Sequence, residues 1–295
     1  MIGKLFGDMV GSTLGQIFGR REAVTVPEAL WQETLATLPF LAALAADEQQ
    51  RLRGLCEAIL GEKEFTTAGG LELSDAICVS IAAQGCLPIL NLGLSAYAGW
   101  VGIVVYPDEF VIPRRIEDDF GVVHEYDEVA SGEAWEGGPL LISWRDAQMA
   151  GDGYNVVIHE FAHKLDMQNG PADGVPPLPR GISHADWEDT LLGAWEDFCA
   201  EVDAAEENYE RSLGAGEHAS SAISDDNAGE ADDDDFALPS GLDPYGAESP
   251  AEFFAVMSEA FFETPALLSE RFPELYRLFT AFYRQNPLTR CSSEA

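Results

Sequence analysis

Tyr154-Asn155-Val156-Val157-Ile158-His159-Glu160-Phe161-Ala162-His163-Lys164-Leu165-Asp166 is the stretch on which the fold of this chain turns. It holds no glycine or proline, and Val157, Ile158, Phe161, Ala162 and Leu165 recur at helical spacing. The pattern predicts one helix, buried along a face, that stops before Asn169-Gly170-Pro171. Two histidines four apart on a helix project from the same face about one turn apart, so His159 and His163 can both reach one tetrahedral zinc at roughly 2.0 to 2.1 Å. Glu160 follows the first histidine directly and cannot bind the same ion with them. It is placed to take a proton from a metal-activated water and pass it to the leaving amine. With five histidines in the chain, this HExxH spacing arises by chance in on the order of one such chain in a hundred. In a buried helix, two histidines and a carboxylate are costly without a metal or partners, which favours a metal site over a solvated pair.

A catalytic zinc takes three protein ligands and a water, so a third ligand is required. Ser249-Pro250-Ala251-Glu252 is a helix start, with proline near the first position and an acid in the first turn; the helix continues through Phe253, Phe254, Val256, Met257, Phe261 and Phe262 to Pro265. Glu252 lies in its first turn and Glu259 two turns further along a similar face, and either carboxylate can point inward. His184, in the loop-like stretch Gly181 to Ala185, is a third candidate but reads as a surface histidine, as do His124 and His218. Tyr245 follows Asp243-Pro244 and by spacing alone reads as a turn residue.

Outward from the motif, apolar residues recur at helical spacing from Pro27 to Leu60, with boundaries at Pro39 and near Asp47-Glu48, and predict two packed helices. Ala76 to Ala83 suits either strand or helix. Trp100 to Tyr106, β-branched and aromatic up to Pro107, predicts a buried strand; Phe120 to Tyr126 and Pro139 to Trp144 predict two more, separated by the turn-rich Glu128 to Gly138. Trp187 to Tyr209 predicts an acidic helix, and Pro265 to Gln285 a last one. Residues 214–235 lose periodicity and hold seven acids between Asp225 and Asp235, which predicts a disordered surface insertion.

The chain has 16 Lys plus Arg against 52 Asp plus Glu, a formal net charge of -36. Such a surface repels phosphate, which disfavours direct nucleic-acid binding and anionic membranes; a basic peptide or protein would be drawn to it. The five cysteines are far apart and form no CxxC pair, which favours a reducing compartment and disfavours a cysteine-ligated metal. Residues 1–26 carry Leu5, Phe6, Met9, Val10, Leu14, Ile17 and Phe18 among glycines, with Arg20-Arg21 after them. This order does not fit a secretory signal, and the stretch is too interrupted to span a bilayer, so it is expected to be flexible or a weakly amphipathic surface segment. These features predict a cytoplasmic protein without stable membrane insertion.

Several motifs carry a family likeness: Gly61-Glu62-Lys63-Glu64-Phe65, Leu87-Pro88-Ile89-Leu90-Asn91-Leu92-Gly93, Val105-Tyr106-Pro107-Asp108-Glu109-Phe110, Val157 to Met167 around the two histidines, Asp243-Pro244-Tyr245, and Pro250-Ala251-Glu252-Phe253-Phe254-Ala255-Val256. In this order, from about Ala29 to Asn286, the chain resembles the Mlc titration factor A family of zinc metallopeptidases, whose active site is similar to the lethal-factor type. The resemblance implies one Zn2+ per chain, held by His159, His163 and Glu252, with Glu160 as catalytic glutamate and Tyr245 stabilising the oxyanion. It implies aminopeptidase-like cleavage of short peptides and, as a second reading of another class, a regulatory protein that sequesters a transcriptional repressor of sugar uptake. The expected fold is a zincin-like α+β single domain over residues 27–290, followed by a short tail at 291–295. A small mixed sheet lies beside the motif helix, N- and C-terminal helices flank both, and Leu140 to Trp144 is the expected substrate-aligning edge. The span from His163 to Glu252 is longer than the family typically shows, and the excess coincides with the acidic insertion; a longer surface loop costs little, so Glu252 can still return to the metal. Asp166 suits either a partner that orients a metal histidine or a plain helix-terminal residue.

Overall fold

The computed structural model describes residues 24–117, 123–151, 153–219 and 238–291. The N-terminal apolar segment up to residue 23 and the acidic run at 220–235 lie outside them. Where two helices were expected, three form: α1 (Glu28–Thr37), α2 (Pro39–Ala42) and α3 (Ala46–Glu62). Pro39 opens α2, where its missing N–H is no loss, and the Glu48 carboxylate accepts from the Ala45 N–H (3.1 Å) to begin α3. The ambiguous run after Asp75 is α4 (Asp75–Cys86), capped by the Ser74 hydroxyl, which accepts from the Ile77 N–H. It is buried on nearly every side, which is why its sequence shows no amphipathic stripe.

The strands are β1 (Glu64–Thr67), β2 (Gly102–Tyr106), β3 (Phe110–Glu117), β4 (Val123–Ala130), β5 (Gly132–Ala134) and β6 (Leu140–Ser143). One mixed sheet runs β1-β2-β6-β5, with β1, β2 and β6 parallel and β5 antiparallel to β6. β3 and β4 form a separate antiparallel hairpin, from Phe110 opposite Ala130 to Glu117 opposite Val123. Phe110 and Ile112 dock this hairpin on Leu141 of the sheet. Two expectations need correction here. Glu128 to Gly138 is not simply a turn: it contains the end of β4 and all of β5, a strand too short and too rich in glycine and acid to show alternation. And β6 is not an edge, since β2 and β5 flank it; the free edge beside the motif helix is β5.

The remaining helices are α5 (Trp144–Ala147), α6 (Val156–Asp166), α7 (His184–Ala219), α8 (Pro250–Glu263), α9 (Pro265–Arg271), α10 (Pro273–Tyr283) and α11 (Leu288–Cys291). The expected disorder from residue 214 is corrected as far as Ala219, because α7 runs that far; once nucleated, a helix gains one hydrogen bond for each residue added. The single last helix breaks in two at Phe272 (φ -131°, ψ 69°), since proline at 273 disfavours helical backbone in the residue before it.

One apolar core joins the helices to the inner face of the sheet. Trp187 and Phe254, Phe261, Phe279, Phe282 and Tyr283 form its aromatic centre beneath α8. On the other flank of α6, Phe161 lies directly on Gly85, where an added Cβ would come within 2.5 Å of the ring, so α4 and α6 approach closely. None of the described helices is long and apolar enough to cross a membrane.

Candidate active site

Every residue of α6 is buried, including five that are polar or charged: His159, Glu160, His163, Lys164 and Asp166. Each needs a use, because a buried polar group without partners costs stability. Lys164 spends its charge on structure, with Nζ donating to the carbonyls of Trp135 (2.6 Å), Gly138 (3.0 Å) and Pro139 (3.2 Å) in the β5–β6 turn. Asp166 accepts from the backbone N–H groups of Asp173 (2.9 Å) and Gly174 (2.7 Å) and so anchors the loop after α6. Burial raises its carboxyl to about 6. His159, Glu160 and His163 remain, at a cleft of about 460 Å³ whose walls include Gly132, Glu133, Tyr154, Asp243, Tyr245 and Glu252.

The start of α6 is fixed by Asn155, whose Oδ1 accepts from the Ile158 N–H (2.9 Å) while its Nδ2 donates to Gln84 (2.9 Å) and Glu263 (2.7 Å). This cap sets the rotation of α6 towards α8. His159 Nε2 lies 3.2 Å from His163 Nε2, and Glu252 Oε2 lies 3.0 Å from the first and 3.1 Å from the second. Donors bound tetrahedrally at about 2.0 to 2.1 Å stand roughly 3.3 Å from each other, so two imidazoles and one carboxylate at these separations suit a zinc ion. These three residues could hold a metal, their donor atoms all lying within 4.8 Å of one another. Without a cation, burial works against the charge of Glu252, but hydrogen bonds from His159 and His163 outweigh it and hold its carboxyl well below the usual range.

Glu259 has a different place from Glu252. Its Oε1 lies 2.7 Å from His159 Nδ1, and its other oxygen accepts from the Asn155 N–H. A carboxylate on Nδ1 fixes the tautomer that leaves the Nε2 lone pair facing the cleft. His184 is two-thirds exposed, pairs with Glu188 and is not among the residues that line the cleft. Tyr245 is both a turn residue and a cleft residue: it stands on a 3-10 turn (Pro244–Ala247) begun by Asp243, whose carboxylate accepts from the Tyr245 N–H, and its ring centroid lies 5.9 Å from that of His159.

Glu160 packs against β5. A Cβ on Gly132 would fall 2.3 Å from Glu160 Oε1, so only glycine leaves room for this carboxylate. Glu160 Oε2 is buried and has no hydrogen-bond partner among the described residues. Burial pushes its carboxyl up to about 8, with His159 opposing the shift and Glu252, Glu133 and Glu259 adding to it. The sequence held no signal for Gly132, nor for Arg114 of β3, which joins Glu133 (3.0 and 2.8 Å) to Glu128 above the cleft. The Ser143 N–H donates to Ser131 O and the Trp135 N–H to Pro139 O. Antiparallel pairing alternates, so the backbone groups of Gly132 and Ala134 face the open edge.

A family model described as glucose-regulated metallo-peptidase M90 matches residues 18–284. The chain is 41% identical over 266 residues to Mlc titration factor A of Serratia proteamaculans (strain 568), covering 89% of each chain. It is 39% identical over 277 residues to the protein of that name from Enterobacter sp. (strain 638), covering 92% of each. With the Salmonella arizonae protein the identity is 40% over 265 residues, 88% of this chain and 92% of the relative.

Proposed function

The chain belongs to the glucose-regulated metallo-peptidase M90 family, and from that membership we propose that it is a zinc-dependent peptidase, aminopeptidase-like on short peptides, built as one domain over residues 27–290 and working in the cytoplasm. Three convergent donors beside a buried carboxylate oxygen without a hydrogen-bond partner carry this reading. His159, His163 and Glu252 would hold the zinc. Bound there, the ion supplies a Lewis acid and brings the pKa of water to about 7. Glu160, whose unpartnered oxygen is buried at the cleft, takes the proton of the attacking water and delivers it to the leaving amine. The Tyr245 hydroxyl, at the cleft wall, donates to the oxyanion, a contribution of a few kcal/mol. The outward backbone groups of Gly132 and Ala134 take the extended peptide as an added strand. In the test, Glu160→Gln keeps stoichiometric zinc by metal analysis and loses turnover on a panel of small chromogenic peptides, and chelation silences the unmodified enzyme. An active Glu160→Gln enzyme would overturn the proposal.

A second reading rests on the relatives' printed name, a titration factor of Mlc: the chain sequesters a transcriptional repressor, with the peptidase site secondary. A pull-down of purified Mlc by the His159→Ala/His163→Ala protein separates the two. Retention without the zinc ligands favours sequestration, and loss ties binding to the metal site.

A further inference from the structure

Trp135 directly follows Ala134, the last residue of β5 and part of the cleft lining, without lining the cleft itself. Its backbone is fixed at both ends: the N–H donates to Pro139 O (3.1 Å), and the carbonyl accepts from the Gly138 N–H (2.9 Å) and from Lys164 Nζ (2.6 Å). Its Cβ packs on Gly138, where an added Cβ would come within 2.9 Å. Yet the residue is 48% exposed. A buried lysine with three bonds to a single turn is an expensive way to hold a tryptophan in water, and a rigid aromatic surface is the kind of group that gives binding energy at little entropic cost.

The position of the ring follows from the strand. Through its bond to Pro139, Trp135 prolongs the β5–β6 ladder by one residue beyond Ala134. Side chains alternate along a strand. Gly132 and Ala134 share the face turned to Glu160, and Glu133 and Trp135 share the other. Glu133 is occupied by Arg114. A peptide lying along the open edge places the side chain opposite Trp135 on the same face as the indole, with Cβ atoms about 5 Å apart. Gly132 abuts Glu160, so the scissile bond lies near Gly132. Trp135 stands three positions along from Gly132.

Resting on the peptidase reading above, we infer that Trp135 is a specificity residue: it forms an apolar subsite for a substrate side chain about three residues from the scissile bond. The favoured substrates are then peptides long enough to carry a large apolar residue at that position.

The test uses the full-length, zinc-loaded enzyme and quenched-fluorescence peptides, some blocked and some with a free N-terminus and the cleaved bond after the first residue, in which leucine or glycine occupies each available position up to four residues from that bond. The unmodified enzyme should prefer leucine over glycine by about tenfold in kcat/KM at one position about three residues out. Trp135→Ala should bring that ratio close to one, mainly through KM, while ratios at other positions persist. Trp135→Phe should restore most of it, and Leu192→Ala, an exposed apolar change on α7, should not alter it. If the alanine protein does not fold, Trp135→Gln, which suits a half-exposed site, takes its place. A ratio unchanged in Trp135→Ala or Trp135→Gln, or lost equally at every position, overturns the subsite and leaves the peptidase reading standing. No cleavage of any peptide by the zinc-loaded unmodified enzyme overturns both.

Discussion

At the scale of single residues, the site is a set of close contacts that leave little freedom. Gly132 and Glu160 touch so closely that one methyl group must displace the carboxylate. Gly132→Ala is therefore expected to keep its zinc and lose about a hundredfold in kcat/KM, the usual scale for a misplacement near 1 Å. Metal analysis together with peptide hydrolysis checks this, and a fully active alanine variant would show that Glu160 does not act from its place against β5. Glu259 acts through His159. Its removal in Glu259→Ala should weaken zinc affinity by about 10- to 100-fold, measured by competition with a chromogenic chelator, and Glu259→Gln, which still accepts a hydrogen bond from Nδ1, should lose less.

At the scale of elements, two buried charged groups hold the walls of the cleft. Lys164 ties α6 to the β5–β6 turn through three carbonyls. In Lys164→Met the Gly138 carbonyl loses its lysine donor while those of Trp135 and Pro139 keep only their backbone bonds, and urea unfolding should show a loss of about 1 to 3 kcal/mol. Glu263 ties the end of α8 to the loop before α6: one oxygen accepts from the Gly151 and Gly153 N–H groups and the other from Asn155. Burial outweighs these bonds and raises its carboxyl from 4.5 to about 7. A folded pKa above the unfolded one means that this group's contribution to stability is complete below about pH 4.5 and is lost as pH rises through about 7. Glu263→Gln lacks this dependence, so the stability advantage of the unmodified protein over the variant should be larger at pH 5 than at pH 8. Urea unfolding at both values checks the sign, and an advantage that grows with pH would contradict it.

At the scale of the whole molecule, a formal charge of -36 makes self-repulsion a general term. Screening shortens from about 30 Å at 0.01 M salt to about 3 Å at 1 M. The melting temperature of the zinc-loaded protein should climb over that range, by about 2 to 4 °C for each kcal/mol of repulsion removed, as calorimetry would show. The sequence by itself determined what is local. Histidines four apart share a helix face by periodicity alone, Pro39, Pro250 and Pro265 mark helix boundaries, a β-branched and aromatic run marks β2, and an apolar run marks β6. The motifs also carried the family likeness, and with it the choice of Glu252. Tertiary structure decided the rest. Glu252 and Glu259 lie seven residues apart on similar faces of one helix, so periodicity cannot tell them apart; the docking of α8 on α6 sets one against both Nε2 atoms and the other against Nδ1. β5 was invisible for the same reason: three residues hold no readable alternation, and their place at the edge comes from pairing with β6 and from the glycine that lets Glu160 lie against them.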